Sequence, residues 1–129
     1  MKSALVVGGS GVVGTELTRK LLADYEKVII ADKVPPRIKD PKIQFIKVDF
    51  TDCDYEVFES MKDIDALVIT IGFGRVALFK DMLQKEIENS FKVNAAAVIR
   101  LIHIYYEKLL SDKDFSPASS QKPTPNSTR

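Results

Sequence analysis

The sequence predicts an α/β fold: a Rossmann-type parallel sheet of about four strands flanked by helices, in effect a truncated doubly wound arrangement. Three observations carry this. Short β-branched runs alternate with helical patterns, and such runs bury both faces only when helices cover a parallel sheet. A glycine-rich turn stands between the first run and the first helical pattern. At 129 residues the chain is long enough for one packed domain but short for two βαβαβ halves.

Ala4-Leu5-Val6-Val7 reads as the first strand and Lys27-Val28-Ile29-Ile30-Ala31 as the second. Between them a helix is predicted from about Val12 to Asp24, with Val13, Leu17 and Leu21 forming the stripe that faces the sheet. Pro35, Pro36 and Pro41 interrupt regular structure before a third strand at Ile43-Gln44-Phe45-Ile46-Lys47-Val48. A short helix around Tyr55, Phe58 and Met61 precedes a fourth strand, Asp65 to Ile71, which Gly72 and Gly74 end.

A long helix is then expected from Phe79 or Met82 to about Leu110. One apolar stripe contains Ile87, Phe91, Asn94, Val98, Leu101, Tyr105 and Leu109. A second contains Ala95, Ile99, Ile102 and Tyr106, so the helix is expected to be covered by more than the sheet. The reading divides the chain into a domain at 1–115 and a Pro/Ser/Thr-rich tail at 116–129, which has no large apolar residue and cannot offset the entropy of ordering itself.

The turn Gly8-Gly9-Ser10-Gly11-Val12-Val13-Gly14 spaces glycines at Gly8, Gly11 and Gly14. In a strand-to-helix turn, one glycine permits the sharp bend, a second lets backbone N–H groups approach a pyrophosphate, and a third lets the helix pack close to the strand. Three glycines alone are weak support, since tight turns use them without any ligand. Asp32 strengthens the reading: it ends the second strand, near the spacing of about 20 residues at which an acidic side chain accepts a hydrogen bond from the adenosine ribose. It would also repel a 2′-phosphate, so NAD is expected over NADP. Lys33, Arg37 and Lys39 could hold such a phosphate, although a solvated basic loop is their commoner meaning.

The composition narrows the alternatives. Nineteen basic and eighteen acidic residues give a net charge of +1, which offers nucleic acid no global field. No apolar run is long enough for a membrane span, and one cysteine cannot form an internal disulfide. No nucleic-acid or membrane partner is expected, and a cytoplasmic location is.

With the Gly8, Gly11 and Gly14 spacing, Asp32, Asp49-Phe50-Thr51-Asp52 and Thr70-Ile71-Gly72, residues 1 to about 112 resemble the short-chain dehydrogenase/reductase family, in particular its extended and atypical members. The resemblance implies that Asp49 meets the adenine amino group and that the Phe50 backbone contacts the ring. Gly72 stands where the family has the glycine of Asn-Ala-Gly, while Thr70 and Ile71 replace its first two residues. The cofactor-binding set is therefore Gly8, Ser10, Gly11, Val12, Val13, Gly14, Asp32, Asp49, Phe50, Thr70 and Gly72. Phe91-Lys92-Val93-Asn94-Ala95 is similar to the segment whose Asn orders backbone and water beside the catalytic lysine, which makes Asn94 the candidate catalytic residue; a structural Asn is the alternative.

The family's chemistry uses a Tyr as general acid/base with a Lys four residues later. Tyr25, Tyr55, Tyr105 and Tyr106 are followed at that spacing by Ile29, Glu59, Leu109 and Leu110, so none supplies the pair. A shortened chain, or a frameshift or early stop, is favoured over a native short protein. Two functions follow: the NAD-binding portion of an oxidoreductase or epimerase-like relative, not competent by itself, or a non-enzymatic NAD(H)-binding sensor or interaction module. The second stripe of the helix at 82–110 is consistent with a homo-oligomer, and equally with strands of the family's fold that this chain lacks. His103 lacks partners for a metal site and none is expected; Cys53 and the Tyr105-Tyr106 pair read as structural, and Arg75 as either a surface residue or a phosphate contact.

Overall fold

The computed structural model describes residues 2–72 and 77–111. Four parallel strands form its sheet: β1 (Ser3–Val7), β2 (Lys27–Asp32), β3 (Ile43–Lys47) and β4 (Ala66–Ile69), in the order β3-β2-β1-β4. Strand β1 is central and wholly buried, as expected of an uninterrupted apolar run with a neighbour on each side. The chain steps outward from β1 to β3 and then returns to the other side of β1. The crevice between the carboxyl ends of β1 and β4 is consequently a topological switch point, where open α/β sheets bind ligands.

Period-two alternation sends the strand side chains into two cores. Leu5, Val7, Ile29 and Ala31 join Phe50, Tyr55, Phe58, Ile64, Val93, Ala97, Leu101 and Tyr105 on one face. Val6, Val28 and Ile30 form the smaller core on the other, with Leu21, Leu22 and Tyr25 against them. The first core is closed by the buried Tyr105 hydroxyl, whose distances to the carbonyl oxygens of Met61 and Phe58 are 2.9 and 3.2 Å. That tie fixes the long helix to the loop before β4.

Helix α1 spans Val12–Asp24, the range expected, and Leu21 packs against the sheet as expected, but Val13 does not. Gly14, Thr15 and Thr18 are its buried residues, whereas Val13 is 64% exposed. The phase is set by Gly14, which must lie against the backbone of Gly8 and Gly9. Thr18 tolerates burial because its hydroxyl donates to the Gly14 carbonyl at 2.8 Å. The predicted short helix is a single turn, α2 (Glu56–Glu59), preceded by Tyr55 in the left-handed region at φ 66°.

The long helix also departs from the simple periodic reading. A short 3₁₀ turn at Phe79–Asp81 is followed by α3 (Gln84–Phe91), a π turn at Lys92–Ala96, and α4 (Ala97–Leu110). Its buried stripe is Val93, Ala97, Leu101 and Tyr105. Leu101 and Tyr105 were expected there, but Phe91 is 70% exposed and Asn94 is also exposed. The π turn, with i→i+5 bonding, changes the helical phase, so a 3.6-residue pattern carried across it places these two residues on the wrong face. Ala95, Ile99, Ile102 and Tyr106 lie on the outer side and are exposed, with no cover among the described residues. Gly74, Arg75 and the expected tail at 116–129 lie outside the described residues.

Candidate functional site

The glycines of the loop answer to different demands. Gly8 has φ +88°, and a Cβ there would lie 2.7 Å from the Thr70 hydroxyl oxygen and 2.9 Å from the Ile71 nitrogen. At Gly14 a Cβ would fall 2.2 Å from the Gly8 carbonyl oxygen. Gly9 is confined by Ile30, at 2.8 Å. Gly11 differs: its nearest neighbour is the Gly8 oxygen at 3.5 Å, an ordinary contact, and its φ of −77° suits any residue. Folding alone therefore does not require a glycine at position 11.

Gly11 is also the N-cap of α1, which has no side-chain cap and no acidic residue in its first turn. A helix start presents N–H groups without intrahelical partners and the positive end of the helix dipole. A nearby anion satisfies both. Val12 and Val13 expose their side chains to solvent, so their capacity to serve such a ligand lies in their backbone.

Across the loop, Asp32 is locked in place. Its Oδ2 accepts the Ser10 N–H at 3.0 Å and its Oδ1 the Lys33 N–H at 2.6 Å. The buried Ser10 hydroxyl donates to the Val34 carbonyl at 2.7 Å, binding the glycine loop to the end of β2. Oδ1 also accepts the Val34 N–H at 3.5 Å, so with two acceptor positions on each carboxylate oxygen the capacity for a further donor lies on Oδ2.

Asp49 follows β3. Its Oδ1 accepts both the backbone N–H and hydroxyl of Thr51, at 2.9 and 2.7 Å, while Oδ2 lies 3.7 Å from the Lys33 ammonium. The Thr51 backbone bond, followed by its hydroxyl, holds the Asp49 carboxyl below the usual range. Residue spacing alone did not foresee these contacts, although Asp-x-Thr is a local pattern suited to such a turn. Phe50, next in sequence, is buried between Tyr55 and Phe58, with ring centres 6.0 and 5.8 Å away.

The other end of the crevice is built from β4. The Thr70 hydroxyl lies 3.0 and 3.1 Å from the carbonyl oxygens of Val7 and Gly8, so this residue ties the fourth strand to the glycine loop. Asn94, in the π turn, donates to the Ser90 hydroxyl at 3.1 Å, and its Oδ1 is 3.9 Å from the position of a Cβ on Gly72. π turns recur at functional sites. Gly8, Gly11, Asp32, Asp49, Phe50, Thr70 and Gly72 thus border one cleft of about 240 Å³, together with Lys33, Val48, Thr51, Ile71 and Val93. The last five were absent from the predicted binding set.

Residues 2–115 match the short chain dehydrogenase family. The chain belongs to that family. It is 22% identical to an uncharacterized oxidoreductase of Saccharomyces cerevisiae over 123 residues, covering 87% of this chain and 40% of the yeast protein. A short chain dehydrogenase from Leptospira borgpetersenii, solved with bound NAD+, is similar at 25% identity and TM-score 0.74, over 83% of this chain and 45% of the other. The ligand-free aldohexose dehydrogenase of Thermoplasma acidophilum, at 20% identity, shares the fold, with TM-score 0.71 over 88% and 46% of the two chains. This family member spans less than half the length of each of these proteins.

Among the described residues, no group of His, Cys, Asp and Glu side chains could hold a metal ion, and no helix is long and apolar enough to cross a membrane. His103 is exposed on α4. Cys53 accepts the Tyr55 N–H at 3.3 Å, and burial pushes its thiol pKa up, away from the reactive thiolate.

Proposed function

We propose that this chain binds NAD(H), in preference to NADP(H), as the cofactor-binding portion of a short chain dehydrogenase-type oxidoreductase. The observation that carries the proposal is Gly11: the one loop glycine whose Cβ position is sterically open borders the cleft at an uncapped helix start. A site for a pyrophosphate needs that open approach and those N–H donors. The NAD+-bound Leptospira relative supports the same ligand class.

In this reading Gly8, Gly11 and Gly14 shape the cradle and the backbone N–H groups of Val12 and Val13 face the pyrophosphate, while Ser10 serves the site by tying the loop to Asp32 and Val34. Asp32 takes a ribose hydroxyl through the remaining acceptor position of Oδ2. Asp49 and Phe50 meet the adenine, while Thr70, Gly72 and Asn94 order the far end of the cleft. Bound there, the nicotinamide would supply hydride transfer. These residues contribute binding and orientation; with no Tyr-x-x-x-Lys pair in the sequence, turnover by this chain alone is not expected.

Titrating NADH into the full chain and following nucleotide fluorescence tests the proposal. Saturable binding is expected, weakened at least about tenfold by Gly11→Val or Asp32→Ala, corresponding to roughly 1.4 kcal/mol. Binding unchanged by both substitutions would sink the site assignment.

A further inference from the structure

We propose that Asp49 reinforces the preference for NAD by holding Lys33 across the mouth of the cleft, where its ammonium is drawn away from a 2′-phosphate. This inference rests on the dinucleotide site proposed above and adds a specificity role for a residue otherwise expected to meet only the adenine.

Four basic residues lie between β2 and β3, Lys42 among them with its ammonium on the Leu22 carbonyl at 3.0 Å, and they are not equivalent. Lys33 borders the cleft; Arg37 and Lys39 do not. Lys33 also directly follows Asp32, so it is the cation nearest in sequence to the ribose anchor. An unengaged ammonium there could neutralise a 2′-phosphate and offset the repulsion from Asp32. Its charge instead faces the Asp49 Oδ2 at 3.7 Å. Asp49 is itself fixed by two bonds from Thr51 to its other oxygen, which leaves Oδ2 directed to Lys33. The turn after β3 thereby orients an acid toward the base after β2.

The Lys33 and Asp49 side chains are 67% and 44% exposed, so the pair is a modest bias rather than a lock. Releasing it should change the ratio of NADP+ to NAD+ affinities by about two- to fivefold. Using the ratio cancels contacts common to both dinucleotides, including those to adenine.

The experiment is calorimetric titration of NAD+ and NADP+ into the full chain carrying no substitution, Asp49→Asn, Lys33→Met, or both. Asp49→Asn keeps an acceptor oxygen for Thr51 while removing the charge. It should move the ratio toward NADP+ by about two- to fivefold, whereas Lys33→Met alone should move it by less than about twofold. In the Lys33→Met background most of the Asp49→Asn effect should vanish. An unchanged ratio in Asp49→Asn overturns the inference, as does an equal effect with and without Lys33, which would mean that Asp49 repels the phosphate directly. If the unaltered chain binds neither dinucleotide, the site itself fails and the inference with it.

Discussion

The glycine loop and the long helix are both bordered by residues of the proposed site, yet they are specified in opposite ways. In the loop, nearly every position is fixed by a close backbone approach or a named hydrogen bond: Gly14 against the Gly8 carbonyl, Gly8 beneath Thr70, Ser10 between Asp32 and Val34. The helix is fixed by which apolar residues it buries, and on its outer side Ile99, Ile102 and Tyr106 are exposed, uncovered among the described residues. Steric necessity at a few glycines leaves a readable spacing. A helix with apolar residues on two sides leaves its phase open.

The largest expected effect tests the loop against itself. Gly14→Ala places a Cβ where the Gly8 carbonyl oxygen already stands, and backbone on both sides must move. A loss of about 3 kcal/mol or more is expected, lowering Tm by more than about 10 °C in thermal denaturation followed by circular dichroism. Gly11→Ala should remain within about 1 kcal/mol of the parent, because reduced unfolded-state freedom opposes the poorer N-cap. A Gly11 variant as unstable as Gly14→Ala would show that position 11 is constrained by the fold, removing its distinction as the ligand-facing glycine.

The second effect lies in the helix. Leu101→Ala, on the buried stripe, should cost about 2–5 kcal/mol in urea denaturation. A cost below about 1 kcal/mol would contradict the observed phase of α4.

These two tests mark what the sequence could and could not convey. The parallel sheet of about four strands was implied by alternating β-branched runs, the range of α1 by its pattern, and the loop by glycine spacing with Asp32. In α1 Val13 was misplaced, because it fits an apolar stripe with Leu17 and Leu21 while the constraint at the start of the helix is the missing Cβ of Gly14. The position of Asn94 was misread because local spacing does not announce a π turn. Thr70 looked like a departure from a family motif, but its hydroxyl joins β4 to the loop in a way only the folded chain displays. The Lys33 and Asp49 pairing joins the ends of two neighbouring strands, so its contact is set by sheet register rather than by proximity in sequence.

A third, smaller effect concerns the tie between α4 and the loop before β4. Burial pushes the Tyr105 pKa from its ordinary value of 10 up to about 12. Below pH 10 the phenol is neutral whether the chain is folded or unfolded, and its contribution is complete. Between pH 10 and about 12 the unfolded chain releases a proton that the folded chain retains, so stability falls across that window by on the order of 2 kcal/mol. Tyr105→Phe should cost about 1–2 kcal/mol at neutral pH and remove this alkaline component. A pH dependence identical in both proteins, measured by denaturant melts from pH 8 to about 12, would assign the alkaline loss to other groups.

The smallest expected effect is on the outer side of the same helix. Ile102 is one residue from Leu101, yet it faces outward while Leu101 is buried. In the isolated chain, Ile102→Ser should shift stability by no more than about 0.5–1 kcal/mol, residual burial being the main component because Ile and Ser differ little in helix propensity. The comparison with Leu101→Ala separates two origins of the apolar outer stripe. If Ile102→Ser costs as much as Leu101→Ala, and the difference grows with protein concentration, the stripe is packed against another chain in solution, because association couples folding stability to concentration. If the cost stays small at every concentration, the stripe adds nothing to the stability of this chain, and the difference between the two sides of α4 is a property of the single folded unit.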